Sequence, residues 1–316
     1  MPMHNPPAIQ TAIGGFSDYA LLDSGRRYKL ERFGSVTVVR GEPNAWWEPR
    51  LPSSEWDRAQ AVHDEDAGWE LQPGCPREWS LHYNGLTFGA RISDTSKHLG
   101  LFPEQSPHWR AIHGIGRALQ TQPHRSAPPR LLNLFGYTGA ATLVAARSGW
   151  QATQVDASKP ATAWARDNQL ASGLAAEPIR WIVEDAMKYV RREIKRGSRY
   201  DGILLDPPAF GRGPTGNVWK VEHHLPELLA LCRDVLTEKP ALLLLTTYNI
   251  EASSLMLHNL LADLMAPYGG HLEAGELALP HASDAARFLP LSIYARWSHL
   301  PPHASHPSEE PGGERE

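Results

Sequence analysis

The stretch "RLLNLFGYTGAATLVAARSGWQATQVDA", residues 130–157, contains two apolar runs separated by a segment rich in small residues. "RLLNLF" and "ATQVDA" have the length and apolar content of buried strands, and "TGAATLVAARSG" between them has the composition of a helix. Two parallel strands need a crossover connection of this length, which is usually helical. The stretch therefore predicts the first β-α-β unit of an open α/β sheet.

The same alternation of strand and helix continues toward the C-terminus. Further strands are predicted at "IRWIVED", "YDGILLD" and "ALLLLTTYN", and helices at "KPATAWARDNQLASG", "AMKYVRREIKRG", "VEHHLPELLALCRDVL" and "SSLMLHNLLADLM". Nearly continuous apolar strands joined by helices indicate a parallel sheet covered on both faces. The segments "HLEAGELALP" and "LSIYARW" add a closing hairpin at the sheet edge. We therefore predict an α/β fold with a Rossmann-like, doubly wound, mostly parallel sheet of seven strands.

The N-terminal part has a different texture. Residues 19–125 form short alternating segments between turns, and Asn84-Gly85 joins "SLHY" to "LTFGARI" as a hairpin turn. This pattern predicts a smaller, mostly-β domain, followed by the α/β domain at residues 126–298. The small domain holds six of the eleven tryptophans, which favours packing in the core and between domains over base stacking. Residues 1–18 and 299–316 are rich in Pro, Gly and charge, and are predicted to be flexible tails.

Composition narrows the classes of function. The 316 residues carry a formal net charge of -4, which gives no overall attraction for nucleic acid. No apolar run is long enough for a membrane span and the N-terminus lacks a signal-peptide pattern, so we expect a cytoplasmic protein without a membrane partner. The two cysteines lack CxxC spacing and the fifteen histidines are scattered, so no metal site is expected. The sequence leaves the oligomeric state open.

Polar and acidic residues cluster where the predicted strands end. Ligands of open α/β sheets bind outside the carboxyl ends of the strands. The first strand is followed by Asn133, Phe135, Gly136, Tyr137, Thr138 and Gly139, the second ends at Asp156, Ala157 and Ser158, the third at Asp185, and the fourth at Asp206. A single such aspartate is more often a helix N-cap than a ligand. Three of them at neighbouring strand ends predict a binding site.

Two cofactor classes, a dinucleotide and a sulfonium compound, fit a glycine turn followed by acids. A dinucleotide also uses a turn after the first strand and an acid after the second, but "FGYTGAA" matches the GxGxxG pattern poorly. The acids at Asp185 and Asp206 distinguish the two readings. A carboxylate after the third strand suits an adenine amino group, and Asp206 is tolerated by a sulfonium cation. The pattern favours a sulfonium cofactor over a nicotinamide.

The motif series resembles a known family. "LLNLFGYTGAATLVAARSGWQATQVDAS", "WARDNQ", "VEDAMKYV" and "LLDPPAFGRG" are similar to the motifs of class I S-adenosylmethionine-dependent methyltransferases. The nearest branch is related to bacterial large-subunit ribosomal RNA methyltransferases, which "KHLGLFPEQSPHW" also resembles. The resemblance covers roughly residues 80–298.

This resemblance implies a role for each matching residue. Asp156 would bind the ribose and Asp185 the adenine, with the Ala186 amide beside it. The turn from Phe135 to Gly139 would lie along the methionine moiety. Glu104 and Gln105 would close the pocket, and Asn168 and Trp164 would cover the adenine or simply pack their helix against the sheet. Asp206, Pro207 and Pro208 would border the methyl group.

The stretch "DPPAF" also indicates the acceptor. Asp206 and the Pro207 carbonyl are rigid acceptors for an N–H group, Pro208 holds them in place, and Phe210 either stacks on a flat substrate or fills the base of the loop. Relatives that methylate carbon 5 of cytosine carry a cysteine after the fifth strand, where this chain has "LLTTYN". We therefore predict methylation of a base nitrogen, with RNA as a possible partner. A methyltransferase for a small molecule or a protein, and a non-catalytic cofactor-binding module, remain alternatives.

Overall fold

The computed structural model describes residues 10–11, 16–122, 125–212 and 218–300. Its strands are β1 Gln10–Thr11, β2 Tyr19–Gly25, β3 Tyr28–Phe33, β4 Val36–Gly41, β5 Ala61–Asp64, β6 Gly68–Leu71, β7 Glu78–Tyr83, β8 Leu86–Arg91, β9 Arg130–Leu134, β10 Gln151–Asp156, β11 Arg180–Val183, β12 Gly202–Leu205, β13 Phe210–Arg212, β14 Val218–Lys220, β15 Leu242–Thr247, β16 His271–His281 and β17 Asp284–Ser298. Its helices are α1 Ser53–Trp56, α2 Ser106–Gln120, α3 Ala140–Arg147, α4 Lys159–Ala171, α5 Ala186–Lys195, α6 Val221–Arg233 and α7 Ser254–Met265. Short 3-10 turns lie at Pro103–Gln105 and Ala266–Tyr268.

The C-terminal half contains the predicted sheet. Its strands run in the order β11-β10-β9-β12-β15-β17-β16. Pairing is parallel from β11 to β15, and β17 runs antiparallel to both β15 and β16. The strand order reverses beside β9, so the carboxyl ends of β9, β10 and β12 meet at the switch point. The predicted α/β class and the seven-stranded, mostly parallel sheet are confirmed.

Two apolar cores cover the two faces of this sheet. Neighbouring residues of one strand point to opposite faces, and Leu131 and Leu132 of β9 accordingly belong to different cores. The core around Leu131 contains Trp109 and Ile112 of α2, while the core around Leu132 receives side chains from α5, α6 and α7. Burial on both sides explains why the central strands β12 and β15 are rich in leucine.

The N-terminal part is rich in strands, as predicted. Asn84 and Gly85 have φ angles of 45° and 72° and join β7 to β8 in the expected hairpin. Strands β2 to β6 form a further run that joins the main sheet, because Leu21 of β2 pairs with His281 of β16. The hairpin β16–β17 was predicted at the sheet edge, but β2 continues the sheet beyond it. The pattern of a single strand specifies its buried face and not its partner, which explains this difference.

The domain boundaries remain a prediction, since the sheet runs from one part to the other. Most of the predicted tails, 1–18 and 299–316, lies outside the described residues. Within the first of them, Gln10–Thr11 pairs in parallel with β16. None of the described helices has the length and apolar content to cross a membrane.

Candidate active site

A cavity of about 780 Å³ opens at the carboxyl ends of the strands. It is lined by residues that follow β9, β10, β11, β12 and β15, and by His98 and Phe102 from the segment before α2. The predicted site residues among its walls are Phe135, Tyr137, Asp156, Ala157, Ser158, Asp185, Ala186, Asp206, Pro207, Pro208 and Phe210. The structure thus brings most of the sequence-predicted residues together. The volume of the cavity is in the usual range for sites that bind small molecules and cofactors.

The turn after β9 has an unusual backbone. Phe135 and Tyr137 have φ angles of 59° and 48°, in a left-handed region that non-glycine residues seldom occupy. Between them, a Cβ on Gly136 would lie 2.4 Å from Cδ of Gln154. Such a backbone costs about 1 to 3 kcal/mol per residue and persists only where surrounding contacts impose it. The turn is therefore held in a fixed shape at the wall of the cavity.

A buried hydrogen-bond chain supplies part of that restraint. Asn133 donates to the Thr142 hydroxyl at 2.9 Å, Thr142 donates to Gln154 at 2.7 Å, and Gln154 donates to the Tyr137 carbonyl at 2.9 Å. Asn133 and Thr138 lie along a smaller cavity of about 70 Å³ beneath the turn and do not line the main one. Asn133 therefore supports the turn through this series of hydrogen bonds.

Asp156 joins the turn to the end of β10. One carboxylate oxygen accepts the Tyr137 N–H at 2.8 Å, and the other accepts the Ser158 N–H at 2.8 Å. Burial raises the pKa of Asp156, while the two backbone donors oppose that change. Ser158 in turn caps α4 by accepting from the Ala161 N–H at 3.2 Å. The carboxylate is held on the cavity wall with lone pairs left for a further donor.

Asp185 caps a helix and also lies on the cavity wall. One of its oxygens accepts the Lys188 N–H at 2.9 Å, which caps α5, and the residue also lines the cavity. Ala186 is the first residue of that helix and lies beside it on the wall.

Asp206 lies at the centre of a polar cluster between the two parts of the chain. Gln105 Nε2 donates to Asp206 at 3.3 Å and to the Tyr248 hydroxyl at 2.9 Å, and that hydroxyl donates to Glu104 at 3.0 Å. Burial and the neighbouring Glu104 carboxyl raise the pKa of Asp206 to about 8. Burial also raises the pKa of Glu104. Glu104 lines neither cavity, and Gln105 lines only the smaller one.

The carbonyls of the two prolines after Asp206 differ in their hydrogen bonding. Trp219 Nε1 donates to the Pro208 carbonyl at 2.7 Å. The Pro207 carbonyl accepts no hydrogen bond within the part of the chain that the structure describes. Phe210 lies at the cavity mouth and is 54% exposed, so its ring is available to a ligand and does not fill the base of the loop.

Asn168 and Trp164 lie away from the cavity. Asn168 is buried, donates to the Thr138 carbonyl at 2.9 Å and accepts the Gly89 N–H at 2.8 Å. Trp164 donates to the Gly89 carbonyl at 3.1 Å. Both side chains connect α4 to β8, which supports the packing alternative over a contact with adenine. Gly139, with a φ angle of 88°, is the N-cap residue of α3 and lines neither cavity.

Comparison with known proteins identifies the family. No family model matches the chain. The crystal structure of the SAM-dependent methyltransferase from Agrobacterium tumefaciens is 41% identical, with a TM-score of 0.87, and the match covers 94% of this chain and 95% of that one. The chain belongs to the S-adenosylmethionine-dependent methyltransferases. Its cofactor is S-adenosylmethionine, as the motif series implied.

Curated relatives match this methyltransferase over a shorter segment. Ribosomal RNA large subunit methyltransferase K/L of Shewanella baltica is 38% identical over 99 residues, which is 31% of this chain and 13% of the relative. Ribosomal RNA large subunit methyltransferase I of Photobacterium profundum is 40% identical over 82 residues, 26% of this chain and 21% of the relative. The chain thus spans only a small part of the length of these relatives.

Tyr248, His98 and Phe102 are among the wall residues of the methyltransferase that were not predicted from the sequence. Tyr248 follows β15 at the carboxyl edge, the same signal that identified the aspartates, but that position was considered only for a cysteine. His98 and Phe102 belong to the segment "KHLGLFPEQSPHW", in which the family resemblance assigned only Glu104 and Gln105 to the pocket. Burial together with nearby cations, Arg40 first among them, lowers the pKa of His98 to about 4. In the part of the chain that the structure covers, no group of three or more metal-ligating side chains occurs.

Proposed function

We propose that this methyltransferase transfers a methyl group from S-adenosylmethionine to a nitrogen atom of a base in RNA. The observation that carries the proposal is the rigid acceptor pair after β12. The Asp206 carboxylate is held by Gln105, and the Pro207 carbonyl has no donor among the described residues. The half-exposed ring of Phe210 lies at the mouth of the cavity that Asp206 and Pro207 also line.

The cavity walls suit the parts of the cofactor. Asp156 offers carboxylate oxygens to the ribose hydroxyls, and Asp185 with the Ala186 amide offers an acceptor and a donor to adenine. We assign the fixed turn to the methionine moiety, because Phe135 and Tyr137 of this turn line the cavity. Asn133, Gly139 and Asn168 support that turn from behind. We assign Glu104 and Gln105 to the positioning of Asp206 at the closed end of the pocket.

Methyl transfer is an in-line displacement, so the protein's main task is to orient the acceptor. When bound, the cofactor would supply an electrophilic methyl group on a sulfonium and would leave as a neutral thioether, while the acceptor nitrogen would lose its proton to the Asp206 carboxylate. Asp206 and the Pro207 carbonyl accept hydrogen bonds from an amino or ring N–H, which directs the nitrogen lone pair toward the methyl group. Two prolines keep this acceptor pair from relaxing, since both have a fixed φ angle. The geometry is specific to a planar group that carries N–H donors.

The cysteines do not supply the alternative carbon chemistry. Activation of a pyrimidine carbon needs a thiolate that adds to the ring. Cys232 is fully buried in α6, where burial raises its thiol pKa, and Cys75 lies in the N-terminal part. Neither lines the cavity, and β15 ends in Thr246 and Thr247. A nitrogen acceptor agrees with this arrangement.

RNA as the substrate is supported by Phe210, which is placed to stack on a base, and by the names of the two partial relatives. The net charge of -4 favours the competing assignment, a small molecule or a protein. The cationic residues needed for RNA must therefore be local to the site.

Radiolabelled methyl transfer tests the proposal directly. The chain is incubated with methyl-labelled S-adenosylmethionine and with total RNA, a protein extract or a metabolite pool, and labelled RNA is digested to nucleosides. We expect label on a base nitrogen. Label only in protein or metabolites contradicts RNA, and label on a base carbon contradicts the acceptor geometry. Asp206→Asn should lower turnover about a hundredfold while cofactor affinity stays unchanged. Asp263→Asn, at an exposed position of α7, is the matched control.

A further inference from the structure

Trp46 is an exposed aromatic residue outside the cavity. Its side chain is 77% exposed, the highest value among the large hydrophobic residues of the described chain. The indole Nε1 donates to the Pro43 carbonyl at 2.7 Å, so the ring is oriented without being buried. The high tryptophan content was predicted to serve packing, and Trp46 departs from that prediction. A fixed, solvent-facing ring is suited to stacking.

The arginine pair beside Trp46 sits in a strained turn. Arg26 and Arg27 connect β2 to β3 with φ angles of 52° and 67°, in the left-handed region that favours glycine or asparagine. The segment that carries Trp46 imposes this shape. The Arg26 N–H donates to the Trp47 carbonyl and the Arg27 N–H to the Ala45 carbonyl, both at 2.7 Å. Strain of this kind concentrates at functional sites.

The two arginines differ in their charge partners. Arg26 pairs with Glu48 at 2.6 Å. The exposed guanidinium of Arg27 donates to the Pro43 carbonyl at 3.3 Å, and no described carboxylate lies within ion-pair distance of it. Its guanidinium carbon stands 5.5 Å from the centroid of the Trp46 ring. The cation therefore lies over one face of an aromatic ring whose side chain is largely exposed.

The same segment is connected to the mouth of the active site. Asn44 donates to the Pro290 carbonyl of β17 at 3.0 Å and lines a groove of about 240 Å³. The groove is also lined by Thr247, the last residue of β15, and by Asn249, which follows that strand. Asn249 also lines the main cavity. A chain bound at the cavity mouth can thus extend along this groove to Trp46.

We propose that Trp46 and Arg27 form a second binding platform for single-stranded RNA. A base that flanks the methylated nucleotide stacks on Trp46, and its phosphate pairs with Arg27. Stacking on aromatic side chains combined with arginine contacts is the general chemistry of single-strand binding. The inference rests on the proposed RNA substrate. The proposed platform places the positive charge of Arg27 in the N-terminal part, although the whole chain has a net charge of -4.

Binding of a fluorescein-labelled single-stranded RNA 15-mer of mixed sequence tests the platform. Trp46→Ala should weaken binding about 5- to 150-fold, and Trp46→Phe should retain most of it. Arg27→Gln should reduce the slope of log affinity against log salt by about 0.7, the value of one phosphate contact on a single strand. Leu170→Ala and Arg233→Gln are controls at exposed positions of α4 and the end of α6.

The methylation assay adds a second readout. The Trp46 and Arg27 variants should raise KM for total RNA and leave kcat unchanged, because the platform binds a part of the substrate that does not react. If the wild-type chain methylates RNA and both variants bind the 15-mer like the controls, the platform is refuted and the proposed function stands. If the wild-type chain neither binds nor methylates RNA, both proposals are refuted.

Discussion

Gln105 Nε2 lies 3.3 Å from Oδ2 of Asp206. Gln105 ends the short turn before α2, whereas Asp206 directly follows β12 in the middle of the sheet. The same amide group reaches the Tyr248 hydroxyl at 2.9 Å. The carboxylate that we propose to orient the acceptor is therefore itself oriented by a segment from outside the α/β sheet.

Gln105→Ala and Tyr248→Phe should each lower kcat about tenfold and leave cofactor affinity nearly unchanged. Gln105→Ala removes the hydrogen bond to Asp206, the group proposed to position the acceptor, and Tyr248→Phe removes the hydroxyl that accepts from Gln105 and donates to Glu104. The effects of the double variant should be smaller than the product of the single effects, because both changes disrupt one chain of bonds. Steady-state kinetics with calorimetry measures both quantities. Multiplicative effects on kcat would contradict a shared network.

The pH dependence of kcat/KM should report Asp206. Its pKa is raised to about 8 by burial and by Glu104, and the ionised carboxylate is the form that accepts an N–H. The rate should therefore rise with pH and level off above about 8. Glu104→Gln removes the neighbouring carboxyl and should move this rise to lower pH, because a like charge no longer opposes ionisation. A profile identical in both enzymes would show that Asp206 does not govern it.

Substitutions of Asp156 and Asp185, the two aspartates proposed to bind the cofactor, should differ in the size of their effect on cofactor affinity. Losing one charge-assisted hydrogen bond costs about 1.5 to 3 kcal/mol, so Asp185→Ala should weaken cofactor binding roughly ten- to hundredfold. Asp156→Ala should weaken it further, because Asp156 also holds the Tyr137 N–H and thus the strained turn. Calorimetric titration with S-adenosylmethionine measures the difference. Unchanged affinity in both variants would refute the assignment, and Asp263→Asn serves as control.

The sequence predicted the elements whose signal is local. Apolar runs, the Asn84-Gly85 turn and the acids at strand ends all depend on a few neighbouring residues, and these features are present in the structure. Contacts between distant segments were not predictable in this way. The pairing of β2 with β16 and the bond from Gln105 to Asp206 depend on which segments meet, and no spacing encodes that.

The roles of side chains that lie behind the cavity wall could not be predicted from the sequence either. Asn133 and Asn168 lie at positions that suggest ligands, but their amides are used within the protein, on Thr142 and on the Thr138 carbonyl. A polar residue near a strand end serves the ligand or the scaffold according to which direction it faces. Tyr248 shows the converse, since it completes the Asp206 cluster although no acid or glycine pattern marked it.

A variant that lacks both cysteines should retain methyl transfer. Cys232 packs in the apolar core of α6, so Cys232→Ala is preferred to serine, which would bury a hydroxyl in that core. Cys75→Ser changes a partly exposed residue far from the strand ends that line the cavity. Some loss of stability is expected from the core position, and the thermal midpoint must therefore be measured with the activity. Turnover near that of the unmodified chain, with label on a base nitrogen, agrees with direct attack by the acceptor. Loss of turnover at an unchanged thermal midpoint would instead assign a catalytic role to a thiol and would contradict the mechanism.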